Sequence, residues 1–492
     1  MTLVVGWLLT DGSGGGTGHR DLWPWLLLSG VVGLLLIIVR PILAVLGVLA
    51  FIFVNPSLLP NLLDIGEFSI RYVDIAVSML TLAVVFRFLS GRVIPLETLR
   101  QLFGPMLPLI CYAGLSLALV WLYTANSFSA SIASYTRLLV TAGFGLLLYT
   151  SISNLQDLEL FHKGLIGFGV ATVGIGMWEA EPGHVLDILE INGWGTEATA
   201  RYGGFLGVNA LGLVAGLLIL SASLRRDKTS NSISRGVVLM TGLLGLILAK
   251  SASSILATAG VVTLYRITTR AQRFGFLRLF KWAMIGMVVV AGATVIIQAL
   301  RPSDVGGLLE LSGGSFAQRL MIAYGGMLIF LEHPLVGVGW QASATPEFIG
   351  SPSLNAVLME TFSALPGHYF FLETTTSLHN LYVQVLVELG LLGGGLFAYA
   401  CVRIGRRVAG VVRGLPEDSP YRSRAEFYAF GLVFLLIWWN TTPLFSGQTD
   451  SMLAFAFLGA LAAIGRLEKQ RRRCECPPGR EMVTQNESAT PR

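Results

Sequence analysis

The feature that most constrains this chain is a series of apolar blocks, each close to the ~20 residues that carry a helix across the hydrocarbon core of a bilayer. They lie at roughly 22–39, 41–59, 69–89, 103–124, 131–151, 158–178, 203–223, 235–250, 252–269 and 279–300, and again near 379–404, 424–441 and 449–466. In lipid every backbone N–H and C=O must find a partner within the protein, which leaves only helices and closed barrels. Barrel strands alternate polar and apolar residues over about ten positions, and these blocks do not alternate. Charged residues are only 13% of the 492, about half the share usual in soluble domains. The expected fold is an all-α polytopic membrane protein with about 12–13 transmembrane helices. Arg40-Pro41 interrupts the block at 22–59, which crosses either once or twice, and the side of the N-terminus follows from which.

Charge sets the orientation. Arg87, Arg92 and Arg100 share one loop, Arg225, Arg226, Lys228 and Arg235 a second, and Arg266 to Lys281 a third. Arg403 to Arg413 share a fourth, and Arg466 to Arg473 lie in the tail. All fall on one side, which the positive-inside rule assigns to the cytoplasm. The net charge of +5 reflects this topology and gives no reason to expect nucleic acid. The opposite loops, 179–198 and a long insert after residue 300, are acidic or neutral. The expected organisation is a flexible leader (1–21), a first helix block (22–300), a periplasmic loop domain with short helices (301–378), C-terminal helices (379–466) and a basic cytoplasmic tail (467–492). The apolar run within 318–335 is too short to span, so an interfacial or re-entrant helix is expected there. Cys111 and Cys401 sit in apolar blocks, and Cys474 and Cys476 in the tail, a reducing setting that does not favour disulfides.

Ionisable groups near membrane depth are costly and mark functional sites. In SLHNLYVQVLVELGLLGG (377–394), Asn380, Gln384 and Glu388 recur every four residues below His379. That spacing puts the three on one helix face, as a packed polar stripe or the wall of a cavity. Arg201 opens RYGGFLGVNALG, with Asn209 two turns later, and Arg319 begins the short insert helix. Two guanidinium groups hold phosphate by their forks, and an imidazole accepts a hydroxyl proton near neutral pH. Such a set suits transfer from a diphosphate-linked donor. GVGWQA (337–342) matches a dinucleotide fingerprint on paper, but no βαβ unit surrounds it; its glycines read as a tight turn. The serines of KSASSILATAG (250–260) read as close-packing residues. No HExxH, Walker or DxD-like pattern is present, and a mechanism without metal or cofactor is expected.

RYGGFLGVNALG, RLMIAYGGMLIFLEHPLVGVGWQ and SLHNLYVQVLVELGLLGG together resemble the O-antigen ligase and O-antigen polymerase family of bacterial envelope glycosyltransferases. The order, spacing and sidedness of the three stretches agree with that family over about residues 200–400. The resemblance implies a GT-C-like helical bundle in the inner membrane with its active site facing the periplasm. It implies metal-independent, inverting transfer of a glycan from undecaprenyl diphosphate to an acceptor hydroxyl, either lipid A–core (ligase) or another glycan (polymerase). By motif, His379 resembles the catalytic histidine, and Arg201 and Arg319 the arginines that hold the diphosphate. Asn380, Gln384, Glu388 and Asn209 are supporting candidates. Many family members carry Ser-Arg where this chain has Ser253-Ser254. A transporter or flippase is the alternative from another class, resting on the span count and the polar stripe.

Overall fold

A computed structural model describes residues 40–53, 63–65, 68–70, 97–124, 127–179, 208–224, 232–270 and 314–475, apart from 364, 366, 368, 369, 373–376 and 441–447. The leader, the expected spans at 22–39 and 279–300, most of that at 69–89, Arg201 and the end of the tail lie outside the described residues. So does the number of crossings made by 22–59.

In chain order the elements are α1 (Pro41–Ile52), a small antiparallel hairpin of β1 (Leu63–Ile65) and β2 (Phe68–Ile70), α2 (Glu97–Phe103), α3 (Leu107–Tyr123), α4 (Phe128–Ser151) and α5 (Leu155–Glu179). Then come α6 (Val208–Ser223), α7 (Ser232–Ala249), α8 (Ala252–Arg270), α9 (Gly314–Glu332), α10 (Pro352–Thr361), α11 (Leu381–Gly414), α12 (Arg422–Trp438) and α13 (Gln448–Glu475). Among the described residues, five stretches are long and apolar enough to cross a bilayer: Arg100–Tyr123, Phe128–Ser151, Leu155–Trp178, Leu381–Gly414 and Thr449–Cys474. The chain is an all-α polytopic membrane protein; among the described residues the strands are the short pair β1 and β2.

The bundle is built around α13, whose residues from Met452 to Ile464 are almost all buried. Lipid tails are as apolar as leucine, so helices in a bilayer associate through close packing. Gly459 of α13 meets the backbone of Gly145 on α4, and a methyl group at Gly145 would come within 2.8 Å of Phe103 Cζ. Ser254, at the start of α8, accepts a hydrogen bond from Trp438 Nε1 at 3.2 Å and packs on Gly212 of α6. The site is fully buried, and the serine serves helix packing.

Arginines close several helix ends. The last carbonyls of a helix lack partners and carry partial negative charge. Arg466 donates to the carbonyls of Tyr149 and Ile152 at the end of α4, with its guanidinium 4.5 Å from the Tyr149 ring centre. Arg235 reaches Ala222 and Leu224 at the end of α6. Arg472 and Arg422 bond Gly414 and Leu415 at the end of α11. Arg424 grips Glu159 with both ends of its fork, at 2.6 and 2.7 Å. These residues lie at the bundle end where the basic loops gather.

The insert folds as a second core rather than a loose loop. Leu320, Met321, Ile322, Ile329, Ile349, Leu358, Phe362 and Phe371 pack with Leu378, Val383 and Val387. Asn355, fully buried, binds the lobe together: its amide donates to Ile349 O (2.9 Å) and Ser351 O (3.0 Å), and its oxygen accepts from Phe371 N (2.9 Å). The short insert helix forms as α9, which packs on the start of α11.

The sequence pattern predicts one continuous span from 379, but α11 is broken. Gly390 has φ 63° and ψ −167°, a region essentially closed to side chains. Tyr382 and Phe397 would lie ~22 Å apart along a straight helix, yet their ring centroids are 6.0 Å apart. The arm Leu381–Leu389 therefore folds back toward the longer arm that follows it. The bend frees four backbone groups, and the segment after α9 completes them. Val338 and Gly339 N–H donate to the carbonyls of Val387 (3.0 Å) and Glu388 (2.8 Å). Leu391 and Leu392 N–H donate to Pro334 (2.9 Å) and Leu335 (3.2 Å). Gly337, at φ 74°, lies against the Glu388 backbone. Gly390→Ala is expected to lose on the order of 3 kcal/mol or more, because strain and a clash with the Leu335 backbone add. Gly395→Ala, where a methyl group meets nothing within 4 Å, is expected to be neutral or mildly stabilising. Thermal unfolding of the purified protein in detergent compares the two.

Candidate functional site

The site forms where the first arm of α11 begins. Asn380 is its N-cap, and Asn380 Oδ1 accepts from Tyr382 N (3.0 Å) and Val383 N (3.1 Å), two of the amides that a helix start leaves open. Asn380 Nδ2 donates to Asn440 O at 3.1 Å, and Leu381 N donates to Trp439 O at 2.9 Å. Tyr382 Oη donates to Leu436 O at 2.6 Å. The N-terminal end of α11 is thus joined to the C-terminal end of α12 by three hydrogen bonds, which fix the turn just before it.

His379 occupies that turn, at φ 47°. A left-handed backbone is uncommon for a residue with a Cβ, though histidine adopts it more readily than most, and such positions cluster at functional sites. The ring is half-buried. Burial, and secondarily the Arg319 guanidinium, lower the proton affinity of His379 below the ordinary histidine value. Both effects disfavour a second positive charge, so the imidazole is neutral at neutral pH and its free ring nitrogen is available as a base.

Arg319 comes from α9. Seven residues on, Gly326 lies where an added methyl would meet Val383 at 2.9 Å and Leu378 at 3.3 Å. Seven residues are two helical turns, so Arg319 is on the face of α9 that packs on the His379 turn. Arg319, His379 and Asn380 therefore come together from two elements far apart in sequence. Asn209 is in the first turn of α6, and Arg201 lies outside the described residues.

Gln384 and Glu388 share the face of Asn380 but are turned into protein. Both are fully buried. Glu388 Oε1 accepts from Gln384 Nε2 at 2.7 Å and from Ser343 Oγ at 2.6 Å. The polar stripe thus caps a helix at one end and holds the 334–345 segment at the other. That segment is itself inserted into the bundle: Trp340, 1% exposed, donates through its backbone N–H to Ser116 Oγ at 3.1 Å and through its indole to Ser134 Oγ at 3.2 Å.

Two groups beside the site escape a reading of the motifs. Asp450, buried in the first turn of α13, accepts from Trp439 Nε1 at 2.8 Å and from Ser451 N at 2.9 Å. Trp439 is the residue whose carbonyl holds Leu381. An acidic residue in an apolar block, QTDSMLAFAF, was the available signal. Ser343 had no distinguishing feature in a Ser/Thr-rich stretch.

Asn380→Ala removes both cap hydrogen bonds and the link to Asn440. It is expected to cost about 1–2 kcal/mol in the thermal unfolding of the detergent-solubilised protein, and Asn380→Asp to recover the cap portion.

Comparison with known families bears on this region. Residues 236–398 match the family model described as O-antigen ligase. No curated protein matches the chain. The matched stretch contains Arg319, the inserted 334–345 segment, His379 and the bend at Gly390. Over this segment the chain is similar to the O-antigen ligase family.

Proposed function

We propose that this membrane enzyme transfers a glycan from undecaprenyl diphosphate to an acceptor hydroxyl at the periplasmic face, within a GT-C-like bundle of the inner membrane. The observation that carries the reading is the proximity of a half-buried His379, whose proton affinity burial and Arg319 lower, to that arginine at the junction of the insert lobe and the spanning helices.

The chemistry is an inverting displacement. The acceptor oxygen attacks the anomeric carbon, its proton passes to the free nitrogen of His379, and the bond from that carbon to the diphosphate oxygen breaks. Negative charge grows on the departing lipid diphosphate, and guanidinium groups that meet it stabilise the transition state more than the ground state. Arg319 takes that role, with Arg201 as its partner from the motif. Asn380 holds the turn that carries the base. A transporter reading would use the break in α11 as a substrate site, as broken helices do in transporters. Here the chain's own 334–339 segment fills the break, which disfavours that reading.

His379→Ala is expected to lower transfer about 10²–10⁴-fold at normal protein levels, measured as lipid-linked product on gels. Retention of activity would remove the assignment. Accumulation of unligated lipid-linked glycan marks a ligase, and a lipid A product limited to one repeat unit marks loss of a polymerase. Arg319→Lys and Arg201→Lys keep charge but lose the fork, and each is expected to lower turnover at least about tenfold. With its proton affinity lowered, His379 stays a base below pH ~6.5. Activity is therefore expected to hold as pH falls through 6.5 and to decline only below it.

A further inference from the structure

Glu388 has no place in the displacement itself, yet it is fully buried on a chain rich in apolar alternatives. It stands at the far end of the arm that His379 begins, about 13 Å away along the helix. Its Oε1 is the shared acceptor for the side chains of Gln384 on the arm and Ser343 on the inserted segment, and the Gln341 backbone N–H also donates to the carboxyl. Both side-chain donors are themselves fully buried, so neither finds water if the carboxyl is removed. The inserted segment is the direct continuation of α9, whose helical stretch ends at Glu332. Between α9 and Ser343 the chain passes through the four backbone hydrogen bonds to the bend.

We infer that Glu388 is a positioning residue, a latch whose carboxyl fastens the 334–345 segment to the first arm of α11 and so holds Arg319 in register with His379. The inference rests on the proposed catalytic roles of those two residues, but the latch has consequences that need no turnover.

The electrostatic sign separates positioning from a direct effect. Among the described residues, Arg319 from α9 is the charged group acting on His379. From α12 the neighbouring polar group is Asn440, and Asp450 of α13 is one step removed, held by Trp439 and Ser451. If Glu388 acted on His379 only through charge, replacing it with a neutral residue would lower the proton affinity of the imidazole. If Glu388 acts as a latch, its loss lets Arg319 withdraw and water approach, and both raise that affinity.

The test uses the full chain in proteoliposomes with a lipid-linked donor, together with hydrogen–deuterium exchange on the same preparation. In Glu388→Ala, amides of 334–345 and of Leu391 and Leu392 are expected to exchange at least about tenfold faster. The acidic limb of the pH–activity profile is expected to move up by about half a pH unit or more. Glu388→Gln keeps an acceptor oxygen at the Oε1 position and is expected to restore both readouts, though it lacks the same charge. Ser343→Ala removes the segment's side-chain donor and leaves the Gln341 backbone N–H; it is expected to show the same two changes and decides the matter if Glu388→Ala does not accumulate. Unchanged exchange, an acidic limb that stays or moves down, or Glu388→Gln behaving as Glu388→Ala would each overturn the inference. If His379→Ala proves active, the catalytic reading falls, while the exchange measurement still reports on the latch.

Discussion

The architecture turns on the bend at Gly390. A helix broken within a membrane protein leaves amides and carbonyls that lipid cannot satisfy, each costing several kcal/mol if unpaired. Here all four of the bonds that close the break come from one short segment, Pro334 to Gly339. The arrangement requires glycine on both sides of the contact. Gly390 supplies the dihedral angles, and Gly337 and Gly339 allow backbone to approach backbone, the latter against Ser116 O and Val120. The two family stretches around HPLVGVG and HNLYVQVLVELG are therefore halves of one hydrogen-bonded unit.

Because of that bend, the first arm of α11 belongs to two cores at once. Leu381, Val385 and Leu389 pack into the main bundle, whereas Val383 and Val387 pack into the insert lobe. An arm held on both faces has little freedom to tilt, and His379 is attached to its end. Arg319 arrives from the lobe side and Trp439 from the bundle side. His379, the proposed base, is thus positioned by elements that a straight spanning helix would not bring within reach. Preorganisation of this kind keeps a charge-stabilising group where it is needed before charge develops.

Much of the fold was legible in the sequence because hydropathy and charge are local. The blocks at 103–124, 131–151, 158–178, 235–250 and 252–269 correspond to helices α3, α4, α5, α7 and α8, and the four-residue spacing of Asn380, Gln384 and Glu388 put them on one face. What each polar residue does was not legible, since it depends on partners remote in sequence. Asn380 bonds Asn440, and Glu388 bonds Ser343. The bend itself was hidden because VELGLLGG reads as a glycine-tolerant span; helix propensity charges about 1 kcal/mol for glycine and is silent on its dihedral angles. A paired reading of Gly337, Gly339 and Gly390 as contact points would have been the clue.

The basic residues serve two ends at once. Positive charge on one side orients the chain, and in the folded protein Arg466, Arg235, Arg422 and Arg472 bind carbonyls at the ends of α4, α6 and α11. These three helices all run toward the basic side, so their negative dipole ends meet the arginines there. The first arm of α11, turned back at Gly390, runs against the longer arm and brings its own positive dipole end beside His379 and Arg319. An arm whose N-terminus faces that pair adds to the field that disfavours protonated imidazole and favours an anion.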